Sequence, residues 1–161
     1  MSAGFACLVV ADESPEFPTA LSYAANMAKA GGWRLIMLHV IEPSEPAPWV
    51  TVSEEMKREA WQNAENLLER FAAEVWAECG VTTEKMIVEG EVRPEIRKYI
   101  DADANVKLLV LAAAPGGAPG PLVSAIAKGH GFGQRGVPVM IVPAGLTKED
   151  ARALSERAPP A

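Results

Sequence analysis

The chain has 161 residues, 49% of them apolar and 22% charged, with a formal net charge of −6. That is one domain's length with enough apolar material for a core, which excludes wholesale disorder. Basic residues are scattered along an acidic chain, which excludes nucleic acid as the expected partner because phosphate backbones are repelled.

The opening Met1-Ser2-Ala3-Gly4 lacks a basic segment followed by an apolar one, so no secretory signal is expected. No apolar run approaches bilayer-spanning length, and no membrane partner is expected. Residues 5–11 (FACLVVA) form a continuous apolar run, the pattern of a strand buried on both faces. Ser14 and Pro15 then suit the cap and first position of a helix, which Gly31-Gly32 should stop. Residues 33–41 (WRLIMLHVI) read as a second strand, followed by a proline-rich loop over 43–48 and Trp49. Ser53, with Glu54 and Glu55 after it, opens the longest helix, with Met56, Ala60, Ala64, Leu67, Phe71 and Val75 as its apolar stripe.

Residues 82–88 read as a third strand and 94–99 as a short helix with Ile96 and Ile100 inward. Residues 106–112 (VKLLVLA) make the fourth strand, 121–128 a weak helix, and 137–142 (VPVMIV) the fifth strand. Thr147 and Asp150 resemble a capping pair for a short C-terminal helix, and Ala158-Pro159-Pro160 should fray. Strands and helices alternate throughout, which predicts a doubly wound, five-stranded parallel α/β sheet covered on both faces.

Ligands of such sheets bind beyond the carboxyl ends of the strands, where strand order reverses. Residues 11–14, Val40 and residues 113–120 should converge there. The loop Pro115-Gly116-Gly117-Ala118-Pro119-Gly120 has few side chains, so its backbone N–H groups are free to approach an anion, and Ser124 adds a hydroxyl one turn later. A flexible surface loop is the competing reading.

Other motifs carry less. Residues 131–136 match GxGxxG, yet the match precedes a strand instead of following one, so a dinucleotide site is not expected there. Asp12-Glu13 is an acidic pair at a strand end, but a phospho-receiver would also need an aspartate where Glu89-Gly90 stands and a lysine where Pro143-Ala144 stands. No metal site is expected. His39 reads as a satisfied core histidine, and His130 has no partners for a triad, so no catalytic residue is named. Cys7 and Cys79 show neither zinc nor CxxC spacing and read as small buried hydrophobes in a reducing cytoplasm. Trp49, Trp61 and Trp76 read as packing or interface residues, with Trp49 also a candidate ligand cover.

Taken together, VVADES at the end of the first strand, His39-Val40 after the second, Val88-Glu89-Gly90 with Pro94-Glu95-Ile96, LLVLA, Gly120-Pro121-Leu122-Val123-Ser124 and VPVMIVP resemble the universal stress protein family. The resemblance implies a Rossmann-like, adenine-nucleotide α-hydrolase-like fold in three layers, α/β/α, over residues 4–145, with 146–161 as a tail. It implies an ATP site, with Mg²⁺, at which Asp12 and Val40 meet the adenine and ribose while Gly116, Gly117, Gly120 and Ser124 meet the phosphates. It implies a homodimer through the strand of Val137, Val139 and Ile141. The family's phosphate loop reads glycine, two residues, glycine, nine residues, glycine, then serine or threonine. Here Gly117 and Gly120 match its first half, but His130 stands where the third glycine belongs. Three readings follow: a nucleotide-binding stress module without turnover, a dimerisation module without a nucleotide, and an ATP-hydrolysing enzyme. The residues 11–14 (ADES) replace the SGG-type loop that ATP pyrophosphatase relatives carry after the first strand, which counts against the enzyme.

Overall fold

A computed structural model describes residues 4–43 and 53–156. Five strands, β1 (Ala6–Val10), β2 (Arg34–Ile41), β3 (Thr83–Glu89), β4 (Val106–Ala112) and β5 (Val139–Val142), pair in the order β3-β2-β1-β4-β5. Every pairing is parallel. The helices are α1 (Phe17–Gly31), α2 (Glu54–Cys79), α3 (Val92–Ala102), α4 (Pro121–Ala127) and α5 (Lys148–Arg152).

Alternation along each strand sorts the apolar side chains into two cores. On one face Cys7, Val9, Leu35 and Met37 pack against α1 and α2, where Phe17 and Phe71 meet edge to face at 4.9 Å. On the other, Leu8, Ile36, Leu38 and Leu109 pack against Ile96 and Ile100 of α3 and Val123 of α4. The registers Ala6 to Val106 and Cys7 to Leu108 leave Lys107 as an extra residue. This bulge lets Val106 and Leu109, three apart in sequence, enter the same core. Lys107 turns out of the sheet, with its Nζ 5.6 Å from the centre of the Phe5 ring.

Several boundaries differ from the sequence-based expectation. Helix α1 begins at Phe17, with Pro18 in its first turn and Glu16, not Ser14, at the cap position. The Ser14 N–H donates to Asp12 Oδ1 at 2.8 Å, closing a turn before the helix. Helix α3 is longer than 94–99, since Pro94 sits in the first turn, where a missing N–H breaks no bond. Strand β5 starts at Val139: Pro138 has no N–H to give the ladder, though its carbonyl accepts from the Leu109 N–H at 3.0 Å. Ser53 caps α2 as expected, accepting from the Met56 N–H at 3.2 Å, and Thr147 with Asp150 forms a full capping box on α5. Helix α5 docks on α1: Ala151 is fully buried, and Ser155 Oγ donates to Asn26 Oδ1 at 2.8 Å.

Candidate functional site

Strand β1 is shorter than both neighbours. Its last pairs are Val10 with Leu38 and Val9 with Val110, whereas β2 continues to Ile41 and β4 to Ala112. A notch therefore opens over the end of β1, at the position where strand order reverses. It widens into an open cleft of about 1280 Å³ between the tips of β1, β2 and β4, α3, and the start of α4.

Three of the sequence-predicted site residues, Asp12, Val40 and Gly120, line this cleft. Asp12 is exposed, with Oδ1 occupied by the Ser14 N–H, and Val40 is buried. Gly120 caps α4 with φ at 107°, a backbone conformation that a side chain would strain. Gly116 and Gly117 lie outside the lining, in open space on an exposed loop. Ser124 also lies outside it, half-buried within α4, where its N–H donates to the Gly120 carbonyl at 2.9 Å. Trp49 falls outside the described residues.

His39 is half-buried on the cleft wall, and its Nδ1 lies 2.8 Å from the Ala11 carbonyl. A carbonyl only accepts, so Nδ1 carries the proton and a neutral ring keeps Nε2 as an acceptor. This is the satisfied histidine expected from sequence, but at the rim of the site instead of deep in the core. Cys7 is fully buried, and desolvation pushes its thiol up to about 12. Cys79 donates its S–H to the Val75 carbonyl at 3.3 Å, and neither cysteine is in a disulfide. Trp61 hydrogen-bonds Glu89 at the end of β3, and Trp76 is exposed.

Sequence reasoning missed the cationic wall. Arg93, Arg97 and Lys98 on α3 all line the cleft. Lys98 is paired with Glu95 at 3.1 Å, while Arg93 and Arg97 are exposed and in no ion pair among the described residues. The acids Asp12, Glu13, Glu16 and Glu42 line the β1 and β2 side. On the α3 side the three cations stand with Glu91 and Asp101, which also line the cleft. The signal was present as the spacing of Arg93 and Arg97, one helical turn apart, but it has meaning only once α3 is docked beside the notch.

The second glycine-rich stretch is fastened to α3. Arg135 donates to the carbonyls of Ile100, Asp103 and Val106 at 2.8, 2.6 and 2.9 Å, and the Gln134 N–H donates to Asp101 Oδ1 at 2.8 Å. Phe132 is buried and, with Gly131, closes one side of the cleft. Among the described residues no group of three or more His, Cys, Asp or Glu is placed to hold a metal, and no helix is long and apolar enough to cross a membrane.

Strand order, two-sided helical cover and a cleft at the reversal define a doubly wound α/β protein whose pocket lies at the topological switch point. The model of the universal stress protein family matches residues 6–127, and the chain belongs to that family. Solved structures show the same fold. The universal stress protein UspA from Lactobacillus plantarum is 16% identical, with a TM-score of 0.69 over 88% of this chain and 99% of its own. The Archaeoglobus fulgidus universal stress protein in complex with dAMP is 16% identical, with a TM-score of 0.60 over 86% and 98% of the two chains. An Arabidopsis thaliana family member with AMP bound is 20% identical, with a TM-score of 0.56 over 86% and 91%. A search of curated proteins finds no match.

Proposed function

We propose that this protein is a stress-response module of the cytoplasm that binds an adenine nucleotide in the switch-point cleft without turning it over. The observation that carries this reading is the notch over β1, which brings Asp12, Val40 and Gly120 to one cleft large enough for a nucleotide. Val40 supplies an apolar seat for the base, and the Asp12 carboxylate retains Oδ2 for ribose hydroxyls. Gly120 lets backbone approach the phosphate end, and the open loop at Gly116 and Gly117, with Ser124 behind it, is free to close over that end. Support comes from relatives described as holding dAMP, AMP or cAMP. For ATP, a Mg²⁺ ion would take most of its ligands from phosphates and water, with one or two carboxylates, so it needs no preformed cage. Residues 4–145 form the functional unit, with the tail docked against α1.

Thermal unfolding of the whole chain with and without millimolar ATP and Mg²⁺ tests this. At a hundredfold excess over Kd the native state gains about 2.7 kcal/mol, a rise of roughly 5–10 °C in midpoint. Gly120→Val, which puts a side chain on the cleft lining, should reduce the rise. No rise in the native chain overturns the ATP form of the reading, and ATP consumption in a single-turnover assay overturns the absence of turnover.

The reading includes a homodimer through β5. Both sheet edges expose an apolar side chain, Met86 at 40% on β3 and Ile141 at 37% on β5, but β3 also carries the Arg34–Glu84 and Lys85–Glu69 ion pairs. Val139 and Val137 pack partly into the core beside Ile141. A bare edge strand such as β5 invites pairing with a second copy. Sedimentation at micromolar concentration should find a dimer, and a monomer rejects it.

A further inference from the structure

We propose that the phosphates of the nucleotide are held by Arg93 and Arg97 on α3, and not chiefly by the glycine loop 115–120. The proposal rests on the nucleotide reading of the same cleft. Arg93 and Arg97 share one face of α3, wall the cleft, and have no carboxylate partner among the described residues. Planar guanidinium groups match pairs of phosphate oxygens, so two of them one turn apart make a fork for a phosphate chain. Arg93 also stands in the first turn of α3, where a positive charge opposes the helix dipole. A residue that breaks a local rule while facing a pocket is best accounted for by the pocket's occupant.

Of the acids on α3, Glu95 pairs with Lys98, while Asp101 lines the cleft with its charge retained and one oxygen accepting from the Gln134 N–H. The other cleft acids lie toward β1 and β2, except Glu91, which is exposed just before α3. The glycine loop offers less: Gly116 and Gly117 do not reach the cleft lining, and α4 has only 7 residues. Arg135, by binding the carbonyls at the far end of α3, acts as a positioning residue that holds the cationic face toward the cleft. The ligand class is therefore a nucleotide carrying a phosphate chain, with affinity rising from adenosine through AMP to ATP.

Titration calorimetry of the whole chain without Mg²⁺ tests this, using adenosine, AMP, ATP and inorganic tripolyphosphate. Replacing both arginines (Arg93→Gln with Arg97→Gln) should weaken ATP binding roughly 10- to 100-fold, given the usual strength of charge-assisted bonds. The same variant should lose tripolyphosphate binding, keep adenosine binding, and unfold at the native temperature without ligand. Undiminished ATP binding in that variant overturns the proposal. So does a native chain that binds adenosine as tightly as ATP and ignores tripolyphosphate, although the nucleotide reading then survives. Tripolyphosphate binding that the variant loses, with no adenosine binding by either protein, upholds the arginines and overturns the nucleotide reading.

Discussion

Residues 115–120 and residues 129–136 share a composition of glycine with few bulky side chains, and the fold treats them in opposite ways. In the first stretch Gly116, Gly117 and Gly120 have open space where a Cβ would stand, and only one backbone bond, from the Ala114 N–H to the Pro119 carbonyl at 3.1 Å, closes the loop on itself. In the second, Gly129, Gly131 and Gly136 are open in the same way, but a Cβ on Gly133 would lie 2.9 Å from Asp101 Oδ1 and 3.0 Å from Ile100 Cγ2, and Arg135 binds three carbonyls. Glycine in the first stretch leaves the backbone free to meet a ligand. In the second, Gly133 lets the chain press against α3. Glycine content alone does not separate a ligand loop from a packing strap; the neighbours do.

The largest test of that contrast is Arg135→Ala. It strips a charged donor from three carbonyls, and the chain should lose about 2–3 kcal/mol, read as a lower urea midpoint. Arg135→Lys should recover only part of this, because an ammonium lacks the planar fork. A smaller effect separates the glycines themselves. Gly133→Ala combines a positive φ of 84° with two close contacts and should cost about 2–3 kcal/mol. Gly116→Ala has nearly the same φ, 87°, with nothing nearby, and should cost about 1–2 kcal/mol. Equal losses in these two variants would erase the distinction between strap and open loop.

Much of the fold was legible because its signals are local. The runs 5–11 and 106–112, the Ser53 cap and the Thr147–Asp150 pair each announce their element within a few residues. The misplaced boundaries come from local turns and from proline. Ser14 looks like a helix cap, but it sits in a turn closed by Asp12, and the helix starts only at Phe17. Val137 looks like strand, but Pro138 interrupts the ladder.

The lining of the candidate site was legible where strands end, at Asp12 and Val40, because position at a strand end follows from the element itself. It was not legible on α3. Arg93 and Arg97 in isolation are a solvated helix face, and only the packing of Ile96 and Ile100 beneath them turns that face toward the notch. The GxGxxG match at 131–136 stands before a strand instead of after one. Its actual use, as the strap on α3, depends on contacts with residues some thirty positions earlier.

The docking of α5 on α1 also bears on how the protein is made. The Asn26 side chain takes its hydrogen bond from Ser155, and Glu78 near the end of α2 pairs with Lys148. Helix α1 is thus completed by a residue 129 positions later in the chain. At about 5–20 residues per second, that side of α1 waits roughly ten seconds for its cover during synthesis. A chain cut before residue 148 would leave that face of α1 uncovered and lose both the Lys148–Glu78 pair and the Ser155–Asn26 bond.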